Sequence, residues 1–251
     1  MNETLDMIDF AGRVVLGIWA HPDDEAYLSA GLMARVARTG GRMVCLHATL
    51  GERGTDDPVT WPPDRLAAHR RRELDTSLSG LGVQQHTVLG YPDGGCTDVD
   101  PAEAIMHVDR LIEQEGPDMI VTFAPDGLTG HPDHIAVSGW VTSAWGQRPW
   151  GRLLYATNTE SFMARHRRLH ERTGVFGDDA PFVTDDRVAA KIVLTRTELD
   201  LKRRALAAHG SQTAGLAALM GEDEYRHWYD IESFRRPTAT EIASARRAVA
   251  V

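Results

Sequence analysis

Short apolar runs with little alternation recur along the chain, each followed by turn-forming residues and then by apolar positions at helical spacing. The run 14–19, with Val14, Val15, Leu16 and Ile18, reads as a strand buried on both faces of a parallel sheet. Residues 43–49, 87–89, 119–124, 153–157 and 189–194 read as further strands. Between them, Pro22 suits a first helical position, and Asp23, Asp24 and Glu25 suit the positive end of a helix dipole. Leu32, Met33, Val36 and Ala37 continue that helix on one buried face until Gly40 and Gly41. Helices are also expected over 65–81, with Leu66, Leu74, Leu78 and Leu81 inward, from Pro101 to Gly116, from Pro132 to about Trp145, and over 197–209. The basic run 165–168 reads as a solvated helix face. From 214 to 251 the pattern is weak, and helices packed on the sheet are expected there. The alternation predicts one layered α/β domain with a mostly parallel sheet flanked by helices, its core spanning about 13–212.

Composition narrows the partners. A formal net charge of -9 over 251 residues offers no clustered basic surface for nucleic acid or anionic lipid. Cys45 and Cys96 are the only cysteines and neither lies in a CxxC pair, so a reducing, cytoplasmic setting is expected rather than a disulfide scaffold. No apolar run approaches the roughly 18 residues of a membrane span, and the acidic start of the chain lacks the pattern of a signal peptide. A small-molecule role follows, with homo-oligomerisation left open.

The chemistry sits in two loops. The run 14–19 ends in His21-Pro22-Asp23-Asp24, and the run 119–124 is followed by His131-Pro132-Asp133-His134. A single His-Pro-Asp is more often a helix cap than a site. Two of them after two apolar strands supply His, Asp and His in the number that a catalytic zinc commonly takes from a protein. His21, Asp24 and His134 are the candidate ligands of one Zn2+ per chain, with Fe2+ or another divalent ion compatible with the same donors. Asp23 is then the spare carboxylate that takes a proton from water, and His131 the group that stabilises an oxyanion or protonates a leaving amine. Asp133 is expected to hold the ring of His131. Glu25 is assigned to the first helical turn, and His47, His69, His86, His107, His166, His170 and His227 receive no functional role.

With these motifs in view, the chain resembles the PIG-L/LmbE-like N-acetylglucosaminyl deacetylases. AHPDDE at 20–25, TLGERG at 49–54, RRREL at 70–74, LGYPDG at 89–94, TGHPDH at 129–134 and HGSQ at 209–212 occur in that family's order. The resemblance implies a Rossmann-like fold and zinc-dependent removal of an N-acetyl group from a glucosamine-containing substrate. It places the ligands on His21, Asp24 and His134, the general base on Asp23, and the second histidine and its partner on His131 and Asp133. Substrate contacts would fall on Glu52, Arg70 and Asp93. Mycothiol-pathway members carry a tyrosine where this chain has Thr129, so the oxyanion here would rely on His131 and the metal or on another group, and that pathway is the less favoured assignment.

Competing readings are an amidase of a thiol-sugar conjugate, a metal-dependent phosphoesterase and a sugar-binding protein without catalysis. The chain offers three good ligands and no phosphate-loop pattern, which counts against the phosphoesterase. A spare base beside a metal counts against a mere binder. Specificity is expected from the loops 50–64, 91–98 and 176–186.

Overall fold

Val15, Leu16, Ile18 and Trp19 are fully buried, so β1 (Val14–Trp19) lies inside a sheet covered on both faces, as its unbroken apolar run requires. The computed structural model describes residues 9–83, 85–176 and 180–248. After β1 come α1 (Asp24–Arg38), β2 (Arg42–His47), α2 (Pro63–Gly80), β3 (Gln85–Val88), α3 (Pro101–Glu115), β4 (Met119–Phe123) and the short α4 (Gly127–Gly130). They are followed by α5 (Pro132–Gln147), β5 (Arg152–Ala156), α6 (Glu160–Thr173), β6 (Ala190–Val193) and α7 (Arg196–Ala208). The chain closes with α8 (Gly210–Met220), α9 (Glu222–Trp228), β7 (Ile231–Arg235) and α10 (Ala239–Ala248).

The strands form one sheet of seven in the order β3-β2-β1-β4-β5-β7-β6. β3, β2, β1, β4 and β5 are parallel neighbours, with Val14 opposite Arg42 and Val15 opposite Met119. Chain order reverses between β1 and β4, so the loops leaving their C-terminal ends open a crevice, the usual ligand site of an open α/β sheet. The expected Rossmann-like, mostly parallel α/β fold is the one observed.

Two expectations need correction. The stretch 214–251 is not purely helical: it contains β7, which runs antiparallel between β5 and β6. Its buried positions are Glu232, Phe234 and Arg235, and two charged residues facing inward disguised it as a polar segment. The α2 helix begins at Pro63, two residues before the expected start, because proline is at home in a first helical turn. Among the described residues no helix is long and apolar enough to cross a membrane. Cys45 and Cys96 are both free and buried.

The reason Glu232 is buried lies in α1. Its carboxylate accepts the N–H groups of Gly31 (2.7 Å) and Leu32 (2.9 Å) and pairs with Lys202 Nζ (2.8 Å), which also donates to the carbonyl of Tyr27 (2.6 Å). A buried ion pair from α7 and β7 is thus woven into the backbone hydrogen bonding of the first helix. The close approach depends on Gly31, where a Cβ would stand 3.1 Å from Glu232 Oε2 and 2.9 Å from Leu194.

Candidate metal centre and active site

The β1 strand delivers His21, and the turn into α1 delivers Asp23 and Asp24; the loop after β4 and the first turn of α5 deliver His131, Asp133 and His134. His134 Nδ1 lies 3.0 Å from the carbonyl of Gly127, which can only accept, so Nδ1 carries the proton and Nε2 keeps a lone pair. The ring is held flat against Phe123, at 4.0 Å between centroids and 9° between planes. His21 Nε2 faces Asp133 at 3.1 Å and Asp93 at 3.2 Å, so Nε2 carries the proton and Nδ1 keeps the lone pair.

Those two lone pairs converge. His134 Nε2 stands 3.3 Å from His21 Nδ1 and 3.4 Å from Asp24 Oδ1, and His21 Nδ1 is 3.6 Å from Asp24 Oδ2. Ligands held about 2.1 Å from one tetrahedral ion lie roughly 3.4 Å apart. Two imidazole lone pairs at that spacing, with the ring protons turned outward and one oxygen of the Asp24 carboxylate near each, fit a divalent cation. His131 and His134, with His21, also bring three imidazoles within ligand range of one another.

The electrostatics agree. Burial opposes a charge on His21, yet Asp133, Asp24 and Asp93 overcome it and hold the imidazole well above its usual value, so this pocket attracts positive charge. Burial would likewise raise Asp24, but His134 and His21 outweigh it and lower its pKa. Burial, assisted by the charge on His21, lowers both His131 and His134 against the carboxylates nearby.

Asp23 is built differently. Its φ of 115° is left-handed, a conformation that costs a non-glycine residue about 1–3 kcal/mol. It is held there because its N–H donates to Glu25 Oε2 (2.9 Å), while Arg70 Nη2 donates to the neighbouring carbonyl of Pro22 (2.5 Å). Burial pushes its carboxyl up to about 6, against the pull of the Arg70 guanidinium 3.6 Å away. Arg70 is 3% exposed, also binds the carbonyl of Gly51 (2.7 Å), and leaves its Nε without a partner among the described residues. Gly51 has φ +63 and sits so close to the guanidinium that a Cβ would overlap it.

The expected pairing of Asp133 with His131 is not the one present. The fully buried Asp133 carboxylate takes His21 Nε2 (3.1 Å) and the N–H groups of Gly94 (2.8 Å) and Cys96 (3.1 Å). Although burial opposes it, these partners lower its pKa to about 2. His131 Nδ1 instead accepts the backbone N–H of Asp133 at 3.2 Å, because residues two apart at a helix start do not face each other. Among the expected substrate contacts, Arg70 and Asp93 line the cavity, whereas Glu52 stands behind it, its carboxylate accepting the N–H of Asp93 (2.8 Å).

Sequence reasoning missed the support beneath Asp23. Fully buried Glu25 accepts from His209 Nε2 (2.7 Å), His47 Nε2 (3.2 Å) and Ser77 (3.1 Å) as well as from Asp23 N–H. Burial opposes its charge, but the two histidines hold its pKa well below the usual value. The HGSQ segment carried the signal for His209, while His47, which had been given no role, carried none. Behind them, Ser211 binds Glu73 through N–H (2.8 Å) and Oγ (2.6 Å), and Gln212 donates to the carbonyl of Gly54 (3.0 Å).

The centre opens into a cavity of about 660 Å³. Loops 50–64 and 91–98 contribute Arg53, Gly54, Asp93 and Gly94, and the third expected loop contributes Phe176, with 177–179 outside the described residues. Thr129 is also in the wall.

A family model described as GlcNAc-PI de-N-acetylase, PIG-L, matches residues 16–145, a segment holding both histidine loops. The chain belongs to the PIG-L family. It is therefore an amide hydrolase of a deacetylase family whose members depend on a metal. Two relatives carry the name 1D-myo-inositol 2-acetamido-2-deoxy-alpha-D-glucopyranoside deacetylase. That of Streptomyces scabiei is 31% identical over 253 residues, covering 80% of this chain and 76% of its own. The second, numbered 2 in Catenulispora acidiphila, is 29% identical over 270 residues, covering 86% of this chain and 88% of its own. Among solved structures, N,N'-diacetylchitobiose deacetylase from Pyrococcus horikoshii shares the PIG-L fold with a TM-score of 0.61 at 22% identity, over 89% of this chain and 83% of that one.

Proposed function

We propose that this PIG-L protein removes the N-acetyl group from a glucosamine-containing small molecule or conjugate, releasing acetate and a free amine. One observation carries the reading: two imidazole lone pairs 3.3 Å apart face the two oxygens of one carboxylate, Oδ1 at 3.4 Å from His134 and Oδ2 at 3.6 Å from His21, beside an aspartate held in a left-handed conformation and open to the same cavity. In this reading His21 Nδ1, Asp24 and His134 Nε2 hold a zinc ion. Bound there, zinc lowers the pKa of water toward about 7 and polarises the amide carbonyl. Asp23 accepts the proton of the attacking water, and its partial burial keeps it a strong enough base. His131, whose Nδ1 is occupied by the N–H of Asp133, presents Nε2 to the developing oxyanion and to the leaving nitrogen. Asp133 and Asp93 keep the proton on His21 Nε2, and Arg70 and Asp93 offer the polar contacts for the sugar. The whole of 1–251 is proposed to act as one deacetylase-like domain, and the two unpaired cysteines support a cytoplasmic setting.

Metal content of the purified chain together with acetate release from N-acetylglucosaminides tests the proposal. The expected result is one equivalent of zinc and measurable acetate; Asp23→Asn keeps the metal and loses at least 100-fold in kcat, while His134→Ala loses the metal. Full turnover in Asp23→Asn would remove that residue as base. Absence of acetate release from every sugar with zinc bound would overturn the substrate class.

A further inference from the structure

At one end the cavity wall is built mainly by elements outside the two histidine loops. Leu28 on α1, Phe162 on α6, Val175 and Phe176 after it, Leu216 on α8 and Trp228 on α9 all line it and are all half-buried. Phe162, Phe176 and Trp228 form a triangle of rings with centroids 6.1–6.3 Å apart. Trp228 presents its ring while its N–H is spent on His170 Nε2 (3.0 Å).

Polar side chains are present in the same wall, but most already have partners. Asn158 donates to the carbonyls of Leu128 and Pro181 (both 3.3 Å), and Thr159 Oγ1 caps α6 by accepting from Phe162 N–H (3.1 Å). Ser161 Oγ donates to Asp185 (2.6 Å), Arg165 pairs with Asp230 (3.1 Å), and Glu232 is committed to α1 and Lys202. Among the described residues the lining polar groups of this end left for a ligand are Lys191, Ser233, the hydroxyl of Tyr229 and Oδ1 of Asn158.

A cyclic polyol entering here would surrender the water on its ring of hydroxyls and find few donors or acceptors in exchange, a cost that apolar contact does not repay. A ring without hydroxyls would lose nothing and cover three aromatic faces. We propose that this end of the cavity is an aglycone subsite for an apolar, ring-sized group, so that the preferred substrate is an N-acetylglucosaminide of a hydrophobic alcohol rather than of a cyclitol. The inference rests on the deacetylase reading and deepens it. Phe162, Leu216 and Trp228 set the specificity.

Two conjugates of equal ring size separate the alternatives: cyclohexyl N-acetylglucosaminide and its inositol counterpart, with free N-acetylglucosamine as the common reference. The zinc-loaded enzyme should show a kcat/KM for the cyclohexyl conjugate at least tenfold above the inositol conjugate, about the discrimination one buried apolar group provides. The difference should lie mainly in KM, and Phe162→Ala and Leu216→Ser should each bring the ratio toward unity. An equal or inverted preference in the parent enzyme, or a ratio that both variants leave unchanged, would overturn the subsite. Calorimetric binding of the same two conjugates reads it independently of turnover. Tighter binding of the cyclohexyl conjugate with no acetate released would sink the deacetylase reading and keep the apolar subsite, and equal binding would sink the subsite.

Discussion

Replacing Asp133 by Asn probes whether the metal centre depends on a proton position rather than on charge alone. The buried carboxylate has three donors around it: Oδ2 takes His21 Nε2 and Gly94 N–H, and Oδ1 takes Cys96 N–H. An amide has one oxygen and one NH2 group. With the oxygen toward His21, the NH2 meets Cys96 N–H, and a buried donor goes unsatisfied at a cost of about 1–3 kcal/mol. With the NH2 toward His21, the imidazole must accept on Nε2 and move its proton to Nδ1, which removes the lone pair that faces His134 Nε2. Either outcome weakens the ligand. Loss of such an outer partner typically costs 10- to 100-fold in metal affinity, or about 1.4–2.7 kcal/mol. Asp93, 3.2 Å from the same nitrogen, still holds the outward proton, so Asp133→Asn belongs near tenfold. The double variant with Asp93→Asn belongs near the upper end of that range. Competition for Zn2+ against a chromogenic chelator measures both, with circular dichroism as the control for folding. Zinc affinity within twofold of the parent in the double variant would refute the argument.

Two further predictions concern stability. Lys202→Met leaves Glu232 charged and buried and takes a donor from the carbonyl of Tyr27, so a loss of about 3 kcal/mol is expected. For a chain of this size that corresponds to a Tm lower by about 6–12 °C; a fall of less than 2 °C would show that the pair contributes nothing. His166 is held down to about 4, by burial first and then by Arg165 and His170. Its unfolded form binds a proton near pH 6.5, so the stabilisation is full above about 6.5 and is lost as pH falls toward 4. Urea midpoints should therefore drop more steeply between pH 7 and 5 in the parent than in His166→Gln, and parallel curves would rule out the assignment.

The positions of the two histidine loops were legible because their causes are local. An unbroken apolar run marks a strand covered on both faces, and a proline with acids after it marks where the helix starts, so β1 and β4 fixed where His21 and His134 emerge. What escaped was set by tertiary contact. β7 hid behind Glu232, whose burial makes sense only once Lys202 and the backbone of α1 surround it. The partner of Asp133 lies 112 positions away at His21, while its sequence neighbour His131 invited the wrong pairing. Glu25 looked like an ordinary first-turn acid, yet it gathers His47 and His209 from opposite parts of the chain. The aromatic wall draws on α6, α8 and α9, where periodicity was weak and the basic run 165–168 drew attention to the exposed side.

The ion pair woven into α1 also sets where the chain can be divided. The family match ends at residue 145, and all three candidate ligands precede that point, so the first half invites excision as a minimal enzyme. Yet the helix that follows His21 and begins at Asp24 sends the N–H groups of Gly31 and Leu32 to residue 232 and the carbonyl of Tyr27 to residue 202. Cutting after 145 would strand those backbone groups and strip His209 from Glu25, which steadies Asp23. A chain cut there is expected to lose its fold: β7 completes the first helix, and an enzyme reduced to its motifs would carry every candidate ligand and no means of holding them in place.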